Sequence, residues 1–183
     1  NIILIGGPSV GKGTYATRLK KIYNIPHIST GDLFRDNMKN ETELGKTAQG
    51  YIDQGNLVPD EVTIAMVKDR LSKEDAQNGY LMDGFPRTIP QAEAMSEFTK
   101  IDKVLYFTAE QETILARIAG RRICRGCGAI FHLKNIPPKQ EGICDYCNGE
   151  VYQRADEKED VVKQRLDTFD KLTKPVLDYY KEK

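Results

Sequence analysis

The sequence has no excess of charge of either sign and no long apolar run. Lys plus Arg and Asp plus Glu each number 27 among its 183 residues, so the formal net charge is zero. General nucleic-acid binders usually carry a basic excess. A membrane-spanning helix needs about 20 consecutive apolar residues, which no part of the sequence approaches. We therefore predict neither a nucleic-acid nor a membrane partner, while the balanced charge still allows a local basic cleft.

The beginning of the chain also lacks the pattern of a signal peptide. Its apolar run, Ile2 to Ile5, has four residues and ends at Gly6, whereas a signal peptide has an apolar region of about 7–15 residues. We expect a cytoplasmic location and, since the first residue is Asn1, an N-terminus that was processed or trimmed. Internal repeats and low-complexity segments are absent as well. The length predicts about one domain, with room for inserted lobes.

Glycine is concentrated near the beginning, in GGPSVGKGT at positions 6–14. This stretch follows the short apolar run, which is typical of a buried strand, and precedes a helical pattern. A glycine-rich loop between a strand and a helix lets backbone N–H groups surround a phosphate. We predict that Lys12 reaches the outer phosphates and that the Thr14 hydroxyl contacts phosphate or Mg²⁺. Gly13 interrupts the usual G-x-x-x-x-G-K-[ST] pattern, and a purely structural turn is the alternative.

The cysteines form two Cys-x-x-Cys pairs, Cys124 with Cys127 and Cys144 with Cys147, with sixteen residues between the pairs. This spacing is typical of a tetrahedral zinc site. Four thiolates leave no open position on the metal, which favours a structural over a catalytic ion. Disulfides and free thiols are the alternatives, and a reducing cytosol disfavours the disulfides.

Short apolar runs alternate with helical patterns along the chain, which predicts an α/β fold with a parallel sheet and right-handed crossovers. Two short helices are expected within 33–53, with a break around 40–42. A further helix runs from about 160 toward Tyr180, and Pro175 is expected to kink it. Residues 122–153 are rich in Cys, Gly and Pro, and we predict an inserted, metal-bound lobe of short strands and turns there. The predicted strands of the sheet are 2–5, 25–28, 80–82 and 104–107.

A carboxylate and an arginine follow the third predicted strand, in DGFPR at positions 83–87. Ligands of open α/β sheets gather at the carboxyl ends of the strands. There Asp83 is suited to organising Mg²⁺ and its waters, and Arg87 to clamping a phosphate with two hydrogen bonds. The alternatives are a helix cap or surface carboxylate for Asp83 and a solvated surface arginine for Arg87.

With these motifs and several others, the sequence resembles a bacterial adenylate kinase with a long zinc-type lid, in the nucleoside monophosphate kinase family. The resemblance covers nearly every residue. It implies a P-loop NTPase-like parallel sheet flanked by helices, with an inserted AMP-binding lobe and a zinc-stapled lid. The motifs are GGPSVGKGT at 6–14, ISTGD at 28–32, GNLVPDE at 55–61, DGFPRT at 83–88, GRRIC at 120–124, YQRAD at 152–156 and RL at 165–166.

The resemblance also implies a division of the chain into lobes. The core domain would consist of 1–29, 59–121 and 155–183. The AMP-binding lobe would be 30–58, and the zinc-binding lid over ATP would be 122–154. A hinge around 155–159 would let Arg154 move with the lid.

The reaction implied by the resemblance is reversible Mg²⁺-dependent transfer of a phosphoryl group from ATP to AMP, giving two ADP. Gln91 would recognise the adenine edge of AMP. The catalytic cations would be Lys12, Arg87, Arg121, Arg154 and Arg165. ATP would contact Ser9, Val10, Gly11, Lys12, Gly13, Thr14, Arg117, Arg121, Ile130 and Phe131. AMP would contact Thr30, Arg35, Asn56, Leu57, Val58, Gly84, Phe85, Pro86, Arg87, Gln91, Arg154 and Arg165.

Three other functions compete with this one. A kinase that prefers UMP, CMP or GMP would differ at the acceptor site, where Thr30 and Gln91 favour AMP. A zinc-ribbon nucleic-acid module is compatible with the cysteines, but the charge balance disfavours it. A switch GTPase would need a base-recognising Asn-Lys-x-Asp motif, which the sequence lacks.

The remaining polar residues that could carry chemistry are predicted to be structural. His27 and His132 are expected to pack or to face solvent instead of acting in catalysis. The charged stretch 156–160 is predicted to be a solvated hinge and helix start, although Asp156 could orient the lid arginines. We expect a monomer, because no segment resembles an oligomerisation surface.

The sequence departs from the family pattern in the loop and at its C-terminal end. Ser9 and Val10 stand where the family usually has glycine and alanine, and Tyr15 stands where it usually has glutamine. If position 9 needs a positive φ, serine costs about 1 kcal/mol, and we expect a loop of unchanged shape that binds ATP less well. The family usually continues past position 183 into another strand and helix. If the chain is truncated there, we expect lower stability and weaker adenine binding, while the phosphate-binding residues are retained.

Overall fold

A parallel sheet organises the part of the chain that the computed structural model describes, residues 1–182. Its strands are β1 (Ile2–Gly6), β2 (His27–Ser29), β3 (Leu81–Asp83) and β4 (Lys103–Phe107). They lie in the order β2-β3-β1-β4, and β1 pairs Ile3 with Met82 on one side and with Val104 on the other. The inner strands are apolar because a parallel sheet is covered on both faces. All four carboxyl ends therefore lie at one edge of the sheet.

Helices connect the strands and continue past the last one, which confirms the predicted α/β fold. Parallel strands need such crossovers, because a tight turn cannot join them. Among the described residues, no helix has the length and apolar character needed to cross a membrane. The helices are α1 (Lys12–Tyr23), α2 (Thr30–Lys39), α3 (Glu43–Ile52), α4 (Asp60–Leu71), α5 (Ile89–Phe98), α6 (Gln111–Gly120), α7 (Glu159–Thr168) and α8 (Lys174–Lys181), with short 3₁₀ turns at Glu74–Ala76 and Ala155–Glu157.

Side-chain caps set where three of these helices begin. Ser29, Thr42 and Thr88 each accept a hydrogen bond from the backbone N–H three residues further on, at 3.3, 3.0 and 3.2 Å. Such a cap satisfies an N–H group that the first helical turn leaves free. The cap at Thr42 confirms the break predicted between two short helices. The cap at Ser29 starts α2 earlier than the predicted position near Leu33, and β2 is displaced to His27–Ser29 from the predicted 25–28.

The main core packs the sheet against three helices. It includes Val67 of α4, Met95 of α5 and Val176 of α8, all fully buried. Two of the three smaller hydrophobic clusters involve the α2–α3 pair and the cysteine-rich region. One joins Phe34 of α2, Ala48 of α3 and Val58, and the other joins Cys124, Phe131 and Cys144.

The cysteine-rich region forms its own antiparallel sheet, in the order β6-β5-β7. Its strands are β5 (Arg121–Cys124), β6 (Ile130–His132) and β7 (Val151–Tyr152). Short strands and turns were predicted for this region, and they are present. The division of the chain into a core, an AMP-binding lobe and a lid remains a prediction.

The last helical region widens just before Pro175. Residues Phe169–Thr173 form a π-helical segment between α7 and α8. Proline has no N–H to donate to the carbonyl of Lys171, and in a regular α-helix its ring would clash with that carbonyl. A π turn moves this carbonyl aside without ending the helix. The disturbance predicted at Pro175 thus takes the form of a π-helical segment just before it.

We predict that Gly45→Ala destabilises the contact between α2 and α3. A Cβ atom added at Gly45 would overlap the backbone carbonyl of Asn37 in α2. Because the obstacle is backbone, the two helices would have to separate, and the free energy of unfolding should fall by roughly 1–3 kcal/mol. Urea denaturation measures this change.

Gly50→Ala is the matched control in the same helix. Nothing lies within 4 Å of a Cβ atom added there, so this variant should be neutral or more stable by up to about 1 kcal/mol. Equal stability of the two variants would contradict the close approach of the helices.

Candidate functional site

In the glycine-rich loop between β1 and α1, the lysine side chain folds back onto the loop backbone. Lys12 Nζ donates hydrogen bonds of 2.8 Å to the carbonyl oxygens of Gly6 and Gly7. The backbone is left-handed at Ser9 (φ +53°) and Gly11 (φ +109°). The positive φ considered for position 9 is therefore present, at a cost of about 1 kcal/mol for serine. The Ser9 hydroxyl is buried and has no hydrogen-bond partner. Weaker binding of ATP to this loop remains a prediction.

Lys12 shares its partly buried surroundings with several arginines. Burial lowers the pKa of Lys12 to about 8, and the charges of Arg87, Arg165 and Arg121 act in the same direction against the opposing charge of Asp83. Burial also lowers the pKa of Arg165 to about 10. These shifts mean that the site disfavours its own positive charge when no anion is bound. A polyanion would relieve that cost, so the electrostatics favour phosphate groups here.

Two carboxylates hold three arginines of this region, Arg121, Arg154 and Arg165. Asp156 Oδ1 accepts a hydrogen bond of 2.8 Å from Arg154 Nε, and Asp156 Oδ2 accepts one of 2.8 Å from Arg165 Nη1. Glu157 Oε1 accepts a hydrogen bond of 2.6 Å from Arg121 Nε. Burial opposes the ionisation of Asp156, but the charges of Arg165 and Arg154 outweigh it and lower the pKa to about 2. The arginines are therefore fixed by carboxylates in the unliganded protein.

The prediction that 156–160 is solvated is wrong for its first two residues. Asp156 is 7% exposed and Glu157 is 2% exposed, because the arginines draw both carboxylates inward. The expectation that Asp156 orients arginines agrees with its contacts to Arg154 and Arg165. These two arginines do not share a helix, since the 3₁₀ turn Ala155–Glu157 separates Arg154 from α7.

A first cleft lies among the loop, α2, α3 and the segment after β3. Thr30 Oγ1 and Arg87 Nε each donate a hydrogen bond of 2.8 Å to the carbonyl oxygen of Gly84, which fixes the turn that follows β3. Gln91 is 2% exposed and contacts Asp60 and the Arg87 backbone. The predicted site residues that line this cleft are Lys12, Thr30, Arg35, Asn56, Leu57, Val58, Gly84, Pro86, Arg87, Gln91, Arg154 and Arg165.

A second cleft lies between the glycine-rich loop and the antiparallel sheet. Arg117 Nη1 donates a hydrogen bond of 3.4 Å to the carbonyl oxygen of Val10, which links α6 to the loop. Two predicted contact residues line neither cleft: Gly13 is in the first turn of α1, and Phe85 packs in the main core. The predicted site residues that line the second cleft are Ser9, Val10, Gly11, Lys12, Thr14, Arg35, Asp83, Gly84, Arg87, Arg117, Arg121, Ile130, Phe131, Arg154 and Arg165.

The two clefts share a wall of positive charge. The basic residues that line both of them are Lys12, Arg35, Arg87, Arg154 and Arg165. An anion in the first cleft and an anion in the second would therefore face the same cations.

Comparison with known proteins gives a consistent result. A family model described as adenylate kinase matches residues 4–183. The chain belongs to the adenylate kinase family. It is 58% identical to an adenylate kinase of Caldicellulosiruptor bescii and 53% identical to one of Clostridium tetani, in each case over 100% of this chain and 87% of the relative. An adenylate kinase of Streptomyces avermitilis is 55% identical over 98% of this chain and 84% of the relative.

Membership of the adenylate kinase family confirms the resemblance carried by the sequence motifs. The agreement extends over the whole described chain, including both clefts and the cysteine-rich sheet, so it supports adenylate kinase function. The protein is accordingly a phosphotransferase that binds nucleotides.

The four cysteines come together at one end of the antiparallel sheet. Their Sγ atoms all lie within 4.8 Å of one another, with 3.3 Å between Cys124 and Cys147 and 3.5 Å between Cys127 and Cys144. A disulfide has an S–S distance of about 2.05 Å, so the disulfide alternative is wrong and the cysteines are free. Backbone N–H groups also donate to the Sγ atoms of Cys124 and Cys144. This arrangement can hold one metal ion.

Both histidines make structural contacts. His132 Nδ1 accepts hydrogen bonds of 3.1 and 3.2 Å from the backbone N–H groups two and three residues further on. His27 Nε2 lies 3.5 Å from Asp83 Oδ2. Burial opposes the ionisation of Asp83, but the contact with His27 and the charge of Lys12 outweigh it, so its pKa lies below the usual value. His27 therefore supports the ionised state of a predicted site residue, which its place in a strand did not indicate.

Sequence reasoning missed two carboxylates that position functional side chains. Glu157 was assigned to a solvated hinge, and its partner Arg121 lies 36 residues away. Asp60 was noted only as part of the GNLVPDE motif at 55–61, yet it begins α4 and contacts Gln91, 31 residues away. An acidic residue at the start of a helix is already explained by that position. The local sequence pattern around such a residue therefore gives no indication of a distant partner.

We predict that ATP binding takes up protons above pH 8. Much of Lys12 is neutral at pH 9, because its pKa is about 8 in the unliganded protein. A polyphosphate beside the amine favours the ammonium form and raises that pKa. Affinity should therefore be highest below pH 7 and fall as the pH rises from 7 to 9. Calorimetry at pH 9 in buffers of different ionisation enthalpy counts the protons directly.

Two variants of α1 test whether the proton belongs to this lysine. Lys12→Gln should bind ATP weakly and without proton uptake. Lys20→Gln removes an exposed lysine of the same helix and should keep the proton uptake of the parent. Binding enthalpies that do not depend on the buffer in the parent protein would contradict the assignment.

Proposed function

We propose that the chain catalyses reversible, Mg²⁺-dependent transfer of the terminal phosphoryl group of ATP directly to AMP, which gives two ADP. The observation that supports this most strongly is the wall of Lys12, Arg35, Arg87, Arg154 and Arg165 shared by the two clefts. A monophosphate in the first cleft and a triphosphate in the second would bring their phosphates together at this wall. Direct transfer needs that arrangement.

Phosphoryl transfer depends on the protein's positioning of the reactants and on its positive charge more than on covalent chemistry of its side chains. Phosphoryl transfer proceeds in line between attacking and leaving oxygens, and its negative charge is spread over the phosphoryl oxygens. Two polyanions repel each other, so fixed cations must offset the repulsion as they approach. The lysine and the arginines of the shared wall supply those cations. No nucleophilic side chain is required.

Each side chain has a proposed part in this reaction. On the ATP side, Lys12 and the loop 9–14 bind the phosphates, Arg121 joins them, Arg117 lies near the adenine, and Ile130 and Phe131 contact the nucleotide. On the AMP side, Arg35 and Arg87 bind the phosphate. Gln91 recognises the adenine with help from Thr30, Asn56, Leu57, Val58 and the segment 84–86. Arg154 and Arg165 bind phosphates of both nucleotides.

The carboxylates that hold the arginines suggest how binding and closure are linked. In the unliganded protein Asp156 neutralises Arg154 and Arg165, and incoming phosphates would compete for the same guanidinium groups. We propose that 122–154 closes over ATP and 30–58 over AMP against the core of 1–29, 59–121 and 155–183. Closure would exclude water, which protects ATP from wasteful hydrolysis. Both clefts belong to one chain, which supports a monomer as the active unit.

The second cleft also offers oxygen ligands that suit Mg²⁺. The Asp83 carboxylate favours its ionised form, and the Thr14 hydroxyl lines the same cleft. Carboxylate and hydroxyl oxygens are ligands that Mg²⁺ accepts, usually with several waters retained. When it is bound with ATP, this ion neutralises part of the phosphate charge. Asp83 and Thr14 are the residues proposed to hold it.

The cysteine cluster is proposed to bind one structural Zn²⁺. A tetrahedron with Zn–S distances of about 2.3 Å places its sulfur atoms roughly 3.8 Å apart, close to the distances between these Sγ atoms. The hydrophobic cluster of this sheet is small, and a lobe of about 30 residues cannot build a sufficient core of its own. The ion would supply the folding stability that hydrophobic packing in this lobe does not provide.

We predict that AMP is the preferred phosphoryl acceptor. ADP formation from Mg·ATP is measured with AMP, UMP, CMP and GMP in parallel, and strong activity is expected with AMP alone. Lys12→Ala should lower the rate by about 100-fold or more, because it removes a cation that binds the transferring group. Lys20→Ala in the same helix should keep full activity. Equal or higher activity with another acceptor would overturn the preference for AMP.

We predict that removal of metal lowers the melting temperature. Strong chelation followed by a thermal melt should lower Tm by about 5 °C or more, since bound metal contributes to folding free energy. Zinc added back should restore the Tm, and elemental analysis should find one zinc per chain. Cys144→Ser should melt like the chelated protein. An unchanged Tm after complete metal removal would contradict the structural role.

A further inference from the structure

We propose that Asp60 determines which base the acceptor site accepts, because it fixes the orientation of the Gln91 side-chain amide. The inference rests on the proposed role of Gln91 as the residue that recognises the base of AMP. Asp60 is the first residue of α4 and Gln91 lies in the first turns of α5. Asp60 is therefore a positioning residue: it acts on the base through Gln91.

The Gln91 amide is held at both of its ends. Gln91 Nε2 donates a hydrogen bond of 2.7 Å to Asp60 Oδ1, and Gln91 Oε1 accepts a hydrogen bond of 2.8 Å from the backbone N–H of Arg87. Gln91 is only 2% exposed, so water cannot replace either partner at low cost. Both hydrogen bonds are made before any ligand is present.

The two partners differ in polarity, and this difference fixes the amide in one sense. An ionised carboxylate can only accept a hydrogen bond, and a backbone N–H can only donate one. If the amide were flipped, its oxygen would face the carboxylate of Asp60 and its NH₂ group would face the N–H of Arg87. Both hydrogen bonds would be lost and two repulsive contacts would replace them. The flipped amide is therefore disfavoured at both ends.

Asp60 is itself held in place by a third contact. Its other oxygen, Oδ2, accepts a hydrogen bond of 2.9 Å from Thr88 Oγ1. The same hydroxyl accepts a hydrogen bond of 3.2 Å from the backbone N–H of Gln91 at the start of α5. Thr88, Gln91 and Asp60 therefore form a closed ring that joins α4 to α5. The carboxylate cannot turn away without breaking it.

The fixed orientation has a consequence for the base. An amide has two N–H donors and two acceptor lone pairs, so one donor and one lone pair of Gln91 remain for a ligand in the first cleft, which Gln91 lines. Adenine presents an acceptor at N1 and a donor at its 6-amino group. Hypoxanthine and guanine present a donor at N1 and an acceptor at O6. One orientation of the Gln91 amide complements adenine, and the orientation flipped by 180° complements hypoxanthine and guanine.

The test is the preference for AMP over IMP, because these nucleotides differ only at N1 and the 6-position. In Asp60→Asn, the side chain at position 60 can accept or donate, so a flipped Gln91 keeps a partner there and is disfavoured only at its contact with Arg87. The kcat/KM ratio of AMP to IMP should fall by about tenfold. KM for AMP should rise and KM for IMP should fall, with little change in kcat. A gain toward IMP cannot result from general damage to the fold.

The matched control is Glu61→Gln, which removes the same charge from the next residue of α4. Glu61 is exposed, and its variant should keep the parent ratio. If Asp60→Asn does not fold, Asp60→Ser also replaces the carboxylate by a group that can donate or accept and should shift the ratio in the same direction. A parent ratio in the folded variant, or equal losses for AMP and IMP, would overturn the inference.

Gln91→Ala separates this inference from the function on which it rests. If Gln91→Ala abolishes the preference for AMP over IMP and Asp60→Asn leaves it intact, the role of Asp60 is wrong and Gln91 still recognises the base. If Gln91→Ala leaves the preference intact, the proposed recognition of adenine by Gln91 is wrong, and the role of Asp60 is wrong with it.

Discussion

Positive charge concentrated in a partly buried space is the constraint on which the rest of this structure depends. Burial and neighbouring cations lower the pKa of Lys12 to about 8, so these groups would repel one another and disrupt the site if nothing opposed them. The fold opposes them with carboxylates from two segments: Asp83 at the end of β3, and Asp156 and Glu157 in the turn before α7. A chain with no net charge can thus contain a strongly basic region, because compensating acids lie beside its cations.

The features that sequence could predict are those with a local physical cause. The loop at 6–14 was predicted from glycines and a lysine at a fixed spacing. The cysteine site was predicted from two pairs separated by short turns. The break at 40–42 coincides with a helix cap at Thr42. The features that it could not predict join distant segments. Asp156 and Glu157 look solvated in a charged stretch, and Asp60 looks like an ordinary helix start, because their partners lie elsewhere in the chain. Pro175 was identified as a disturbance, but whether a helix breaks or widens there depends on the packing around it.

The α2–α3 pair and the cysteine-rich sheet are each too small to bury many apolar side chains. They are therefore stabilised in different ways. The α2–α3 pair relies on close backbone approach, which Gly45 allows, and on a small cluster around Phe34 and Val58. The antiparallel sheet relies on four thiol groups drawn together. Modest packing would suit the closure proposed for 30–58 and 122–154, since weakly packed regions open at low free-energy cost.

The wall shared by the two clefts has a thermodynamic consequence. Any anion in one cleft neutralises cations that also face the other cleft, and it competes with Asp156 for the guanidinium groups of Arg154 and Arg165. The two binding equilibria therefore cannot be independent, and their coupling free energy has the same size whichever ligand binds first. The affinity of one cleft therefore depends on whether the other cleft is occupied. A dissociation constant measured for one nucleotide alone describes a different equilibrium from the one that operates during turnover.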